Sequence, residues 1–97
     1  MTEGDNAQTA VHIVVHGEVQ GVGFRSFVQA RALALNIGGW VRNCEEGTVE
    51  IWAEGPHDTL QRLIQEVQRG PRHGLVSHLD IEWVPPQNTL GGFHIRW

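Results

Sequence analysis

Apolar and polar positions along the chain follow two rhythms. Val11, Ile13 and Val15 stand at every second position between Ala10 and His16, the spacing of a strand with one buried face. A glycine-rich turn follows, and from Phe24 to Asn36 the spacing lengthens. There Phe24, Phe27, Val28, Ala32 and Leu35 form one stripe of a helix. Asn36 and Gly38 are expected to end it, because both residue types tolerate left-handed backbone. Trp40 and Val41 mark a short strand over 39–43, and Val49, Ile51 and Ala53 alternate between Thr48 and Glu54. The linking Cys44-Glu45-Glu46-Gly47 is a tight connection, so these two strands predict a hairpin. Gly55-Pro56 closes it. Leu60, Leu63, Ile64 and Val67 then mark a second amphipathic helix, stopped at Gly70-Pro71. Leu75 to Val84 reads as extended, Pro85-Pro86 breaks it, and Gly92 to Trp97 offers a last edge strand.

Strand, helix, strand, strand, helix, strand is an order that buries both helical stripes against one face of a mostly antiparallel sheet. The expected fold is therefore α+β, a ferredoxin-like two-layer sandwich (βαββαβ) on a sheet of four or five strands. Residues 1–9 read as a flexible polar tail and 10–97 as a single domain. A chain of 97 residues supports one modest core and little more.

Charge narrows the partners. The formal net charge is −4, and all seven basic residues are arginines. An acidic chain is poorly suited to nucleic acid or an anionic membrane, both of which need basic surface. A single cysteine, Cys44, excludes an internal disulfide and a cysteine-based zinc site. No run approaches the roughly 18 apolar residues of a membrane span, and the N-terminus lacks the pattern of a signal peptide. The expectation is a cytoplasmic protein, monomeric because no large apolar helix face is left over.

The residues that carry chemistry lie in Gly17-Glu18-Val19-Gln20-Gly21-Val22-Gly23-Phe24-Arg25. Glycines at a strand-to-helix turn let main-chain N–H groups converge on one point. The helix start adds unpaired N–H groups and partial positive charge, and an arginine adds a planar fork matching phosphate oxygens. Together these describe an anion cradle for one phosphoryl group. Two other glycine signatures do not fit: a dinucleotide fingerprint needs glycine where Ser26 stands, and a Walker loop needs a lysine. Taken alone, the stretch also fits a turn that merely needs positive φ, with Arg25 solvated.

A second constellation, Gly39-Trp40-Val41-Arg42-Asn43, then Gly47-Thr48-Val49, then Gly55, follows the first helix directly. With the first stretch it resembles the acylphosphatase family, whose G-x-V-Q-G-V-x-F-R and G-[aromatic]-[small]-x-N-x-x-x-G-x-V patterns it reproduces. The resemblance runs from about Val11 to Trp97. One departure is Leu35-Asn36-Ile37, where members often have Leu-Gly-Leu, and asparagine is the next best residue for a left-handed helix end.

The resemblance implies an enzyme that hydrolyses acyl phosphates to a carboxylate and inorganic phosphate, without metal or cofactor. It implies that Arg25 binds the phosphate, that main-chain N–H groups of Gln20, Gly21, Val22, Gly23 and Phe24 line the cradle, and that Asn43 orients the attacking water. Partners would be the acyl phosphate itself and inorganic phosphate as product and inhibitor.

Other residues draw the eye. His12 and His16 are four apart, about 13 Å along a strand and too far for one ion. His57, His73, His78 and His94 show no ligand spacing, so no metal site is expected. Glu45 and Glu46 disfavour a thiolate at Cys44, which reads as an unreactive turn residue. Arg42 reads as a solvated strand charge, and Trp40, Trp52, Trp83 and Trp97 as core and edge packing. Two other functions stay open: an anion-binding or RNA-binding module on the same sandwich, disfavoured because the central strand offers Val11, Ile13 and Val15 rather than aromatics, and a carbamoyl-phosphate site like the acylphosphatase-like domain of hydrogenase-maturation proteins.

Overall fold

The computed structural model describes residues 7–88 and 91–97. Seven elements follow the expected order: β1 (Gln8–Glu18), α1 (Phe24–Ala34), β2 (Gly38–Asn43), β3 (Val49–Pro56), α2 (His57–Arg69), β4 (Leu75–Val84) and β5 (Phe93–Arg96). The sheet order is β4-β1-β3-β2-β5. β1 pairs antiparallel with β3 and β4, and β2 antiparallel with β3. Only the β2–β5 pairing is parallel among the described strands. This is the ferredoxin-like sandwich with a fifth strand added at one edge.

Residues 1–6 of the expected tail lie outside the described residues. β1 already opens at Gln8, because Gln8 and Thr9 pair with Pro56 and Gly55. α1 ends two residues before Asn36, which takes the expected left-handed turn at φ 59°. Gly38 is not needed as a terminator and instead opens β2.

Alternation decides which side chains are covered. Val11, Ile13 and Val15 of β1, Val41 of β2 and Val49, Ile51 and Ala53 of β3 are buried under the helices. Phe24, Val28 and Ala32 of α1 and Leu60, Leu63 and Val67 of α2 meet them from above, and Phe93 of β5 closes one side. Each buried Val, Leu, Ile or Phe side chain contributes roughly 1.5–3 kcal/mol by leaving water. The intervening residues of the same strands face away from the helices. Among them are Trp40 and Trp52, directly opposite each other in the β2–β3 register and only half-buried. Trp83 is exposed and Trp97 is 94% exposed. None of the tryptophans is a core residue, so of the expected core and edge packing only the edge part holds, with Trp83 on edge strand β4 and Trp97 just past edge strand β5. Trp40 and Trp52 fall on the wrong parity, one step from Val41 and Ile51.

Candidate active site

The buried rows of β1 and β2 run out at the same end of the sheet, and there the turn into α1 crosses them. Val19 is buried and anchors the start of that turn, and Phe24 anchors its end. Between them Gly21 and Gly23 adopt φ 75° and 77°. A Cβ at either position would meet nothing within 4 Å. It is therefore the backbone conformation, not crowding, that reserves these positions for glycine.

Gly23 is the residue before α1, and no side chain caps the helix. Phe27 is the first residue whose N–H finds a backbone carbonyl, that of Gly23 at 3.0 Å. Among the described residues, the N–H groups of residues 20–26 have no acceptor. No acidic residue stands in the first turn to offset the helix's positive end. A row of unpaired donors at a helix start, without a carboxylate, is the arrangement that receives an anion.

Arg25 is half-buried on this first turn. Its Nη1 donates to the Arg96 carbonyl at 3.3 Å, and its Cζ lies 4.0 Å from the centre of the Trp97 ring. No carboxylate of a described residue pairs with it, so most of its donors stay available. The C-terminal strand thus holds the guanidinium from one side, a contact the sequence reading did not foresee. Positions 25 and 97 meet only through the parallel pairing of β5 with β2.

Asn43 ends the row of β2 that contains Gly39 and Val41, so its side chain falls on the helix side. Its carboxamide has no hydrogen-bond partner among the described residues. Asn43 and Arg25 line one small pocket of about 110 Å³, together with Val19, Gly21, Gly23, Phe24 and Ser26. That is well below the roughly 300–1,000 Å³ of pockets that enclose drug-sized ligands. The space suits one phosphoryl group, with the rest of any ligand outside.

Gln20 and Val22 do not line this pocket. The Gln20 side chain instead donates to the carbonyls of Cys44 and Thr48, both at 2.8 Å. The same turn is closed by Cys44 N–H to the Thr48 carbonyl at 2.9 Å and Gly47 N–H to the Cys44 carbonyl at 3.1 Å. Gln20 therefore ties the glycine turn to the loop that begins directly after Asn43. A glutamine flanked by glycines gives no hint in sequence of which distant carbonyls it will meet.

The other side of the sheet carries a separate network. Arg42 Nε meets Glu50 Oε1 at 2.6 Å, and His12 Nε2 meets Glu50 Oε2 at 2.5 Å. Burial pushes the Glu50 carboxyl up, but the hydrogen bonds from His12 and Arg42 outweigh it and hold Glu50 below its ordinary value. The Arg42 guanidinium is raised by its bond and charge interaction with Glu50. Arg42 is thus engaged as a strand charge and faces away from Arg25. His12, Trp52 and Trp40 give the open face aromatic rings, so the absence of aromatics no longer counts against RNA. Glu50, Glu54, Asp80 and Glu82 on the same face do count against it, since they repel phosphates.

The histidine spacing also looks different in the fold. The β1–β4 register sets His16 directly opposite His78, with Asp80 two residues further along β4.

The chain matches acylphosphatases in sequence and structure, and it also superposes on part of full-length HypF, with a TM-score of 0.83 at 26% identity, covering 95% of this chain and 12% of that one. The acylphosphatase family model matches residues 11–95. An acylphosphatase of Bifidobacterium longum is 49% identical over 86 residues, covering 88% of this chain and 89% of that protein. One from Salinibacter ruber is 45% identical over 82 residues, covering 84% and 86%. The crystal structure of acylphosphatase from Bacillus subtilis superposes with a TM-score of 0.88 at 37% identity, covering 92% of this chain and 99% of that one.

Proposed function

The chain belongs to the acylphosphatase family and is an enzyme that hydrolyses acyl phosphates, and from that premise we propose how its residues divide the reaction. Arg25 and the main-chain N–H groups of the 20–24 turn, with Gly21, Gly23 and Phe24 on the pocket wall, grip the phosphoryl group. Asn43 holds a water in line with the phosphorus. The observation that carries this reading is the shared pocket: Arg25 without a carboxylate partner, Asn43 without a hydrogen-bond partner, and a row of unpaired N–H groups around one small space.

The chemistry asks for no more than this. The leaving group is a carboxylate whose acid has a pKa near 4, similar to a side-chain carboxyl. It departs as a stable anion at neutral pH, so no general acid is needed. Charge in the transition state spreads over the equatorial phosphoryl oxygens, where the guanidinium and amides stand ready. One such preorganised donor is worth roughly 2.7–4 kcal/mol. A carboxamide is no base, so Asn43 acts by orienting the water, and a phosphoryl oxygen of the substrate takes its proton. Inorganic phosphate, the product, occupies the same cradle and competes.

The test is hydrolysis of benzoyl phosphate by the untagged chain, with chelator present and inorganic phosphate titrated in. The expected result is turnover that survives the chelator, competitive inhibition by phosphate, and loss of both in Arg25→Ala. Normal turnover by Arg25→Ala would overturn the assignment.

A further inference from the structure

We propose that His16, His78 and Asp80 form a binding site for one divalent transition-metal ion on the helix-free face, across the β1–β4 ladder. The trio lies on the helix-free face, away from Arg25, and Asn43 stands between the small pocket and the cavity that His16 and Asp80 line.

The argument begins with register. In an antiparallel pair, residues directly opposite have Cβ atoms about 4.5–5.5 Å apart, and diagonal neighbours remain within reach of long side chains. His16 and His78 are such an opposite pair, and Asp80 is the diagonal neighbour of His16, opposite Val14. The two imidazole rings stack with centroids 4.1 Å apart and planes 9° from parallel. Their edges are turned the same way: Nε2 of His16 is 2.8 Å from Asp80 Oδ2, and Nε2 of His78 is 4.0 Å from Asp80 Oδ1. The donor atoms of all three residues lie within 4.8 Å of one another.

Ligands on one ion at about 2.0–2.2 Å must sit roughly 3.0–3.5 Å apart. The trio lies within 4.8 Å, so it must close up, and the stacked rings must tilt for both nitrogens to face one ion. His78 and Asp80 have exposed side chains and can make the adjustment. Two paired strands fix the remaining geometry, so little order must be gained on binding. His16 and Asp80 line an open cavity of about 880 Å³, which lets an ion and its waters enter. Arg42, the arginine on that cavity's wall, is held by Glu50 and does not compete for Asp80.

The donor set selects the ion. Two imidazole nitrogens and one carboxylate oxygen suit Zn²⁺, Ni²⁺ and Cu²⁺ and are poorly matched to Mg²⁺ or Ca²⁺, which take oxygen ligands. Waters would complete the shell. An ion there joins β4, an edge strand, to the central β1, so binding should raise thermal stability by mass action.

The test is calorimetric titration of Zn²⁺ into the full chain without a polyhistidine tag, with Cu²⁺ paramagnetic resonance as a second readout. The expected result is one ion per chain, a Cu²⁺ spectrum with two coordinated nitrogens, and an upward shift in melting temperature with Zn²⁺. Even an outer-shell change at a metal site weakens binding about 10–100-fold, so His78→Ala, which removes a ligand, should weaken it at least about tenfold. His78→Ala should also leave one coordinated nitrogen. Asp80→Asn should weaken binding too, and His94→Ala should leave it unchanged. All three variants alter exposed side chains, so they should fold normally. No Zn²⁺ binding by the wild-type chain, or wild-type affinity in His78→Ala, would overturn the proposal.

Discussion

Arg42 and Asn43 are neighbours in β2, yet they live under different physics. Asn43 ends the row that runs beneath the helices, where Val41 and Ile51 are sealed from water. Its carboxamide emerges at the rim of that core, with the glycine turn overhead and no partner of its own. Arg42 stands one residue away on the helix-free face, where its charge is spent on Glu50 and, through Glu50, on His12. Arg25 and Arg42 show the same split. Arg25 is held by a carbonyl and an aromatic ring, neither of which neutralises it, whereas Arg42 is neutralised by a carboxylate. A guanidinium kept unpaired beside unpaired amides can bind an anion. A guanidinium already paired with a carboxylate would have to give up that bond first.

The largest expected difference between the two faces is catalytic. Arg25→Ala should lower kcat/KM for benzoyl phosphate by about 10²–10³-fold or more, as loss of one preorganised donor does. Arg42→Ala should leave it within a few-fold, and a comparable loss in both would erase the distinction. The next effect is on stability. Ile51→Ala empties space under the helices and should cost about 2–5 kcal/mol in urea unfolding. Its neighbour Glu50→Gln should cost on the order of 1 kcal/mol or less, since Glu50 and His12 are only half-buried and Arg42 is exposed.

How far the sequence announces each face follows from the same split. The rows under the helices are legible because burial forces alternation: Val11, Ile13, Val15 and Val49, Ile51, Ala53 state their own register. The glycine turn and Asn43 are legible through their fixed spacing, which matches a known family pattern. The open face imposes no such rule, so Trp40 and Trp52 look like core residues until their parity is known. His16 and His78 look unrelated until β1 and β4 are paired, and Trp97 gives no sign that it will cover Arg25. These contacts depend on which strands lie side by side, and a local pattern does not encode that.

Two smaller effects sharpen the comparison. Gln20→Ala removes two hydrogen bonds between the glycine turn and the loop after Asn43. At roughly 0.5–1.5 kcal/mol each, their loss should lower kcat about tenfold with a smaller change in phosphate inhibition, measured by steady-state kinetics. Acid should act on the other face. Glu50 titrates below its ordinary value in the folded chain, so its contribution is complete at neutral pH and is lost as pH falls through the folded value. Unfolding measured from pH 7 down to pH 3 should therefore show a decline that Glu50→Gln partly flattens. Activity lost in step with that decline, while the fold persists, would link the faces after all.

The central claim is that one pocket divides its labour, with Arg25 gripping phosphate and Asn43 aiming water. Calorimetric titration of inorganic phosphate into the wild-type chain, Arg25→Ala and Asn43→Ala, paired with turnover of benzoyl phosphate by each, separates the two roles. The predicted result is that Arg25→Ala loses both binding and turnover, while Asn43→Ala binds phosphate as the wild type does and fails to turn over. Phosphate binding that survives in Arg25→Ala, or turnover that survives in Asn43→Ala, would contradict the account.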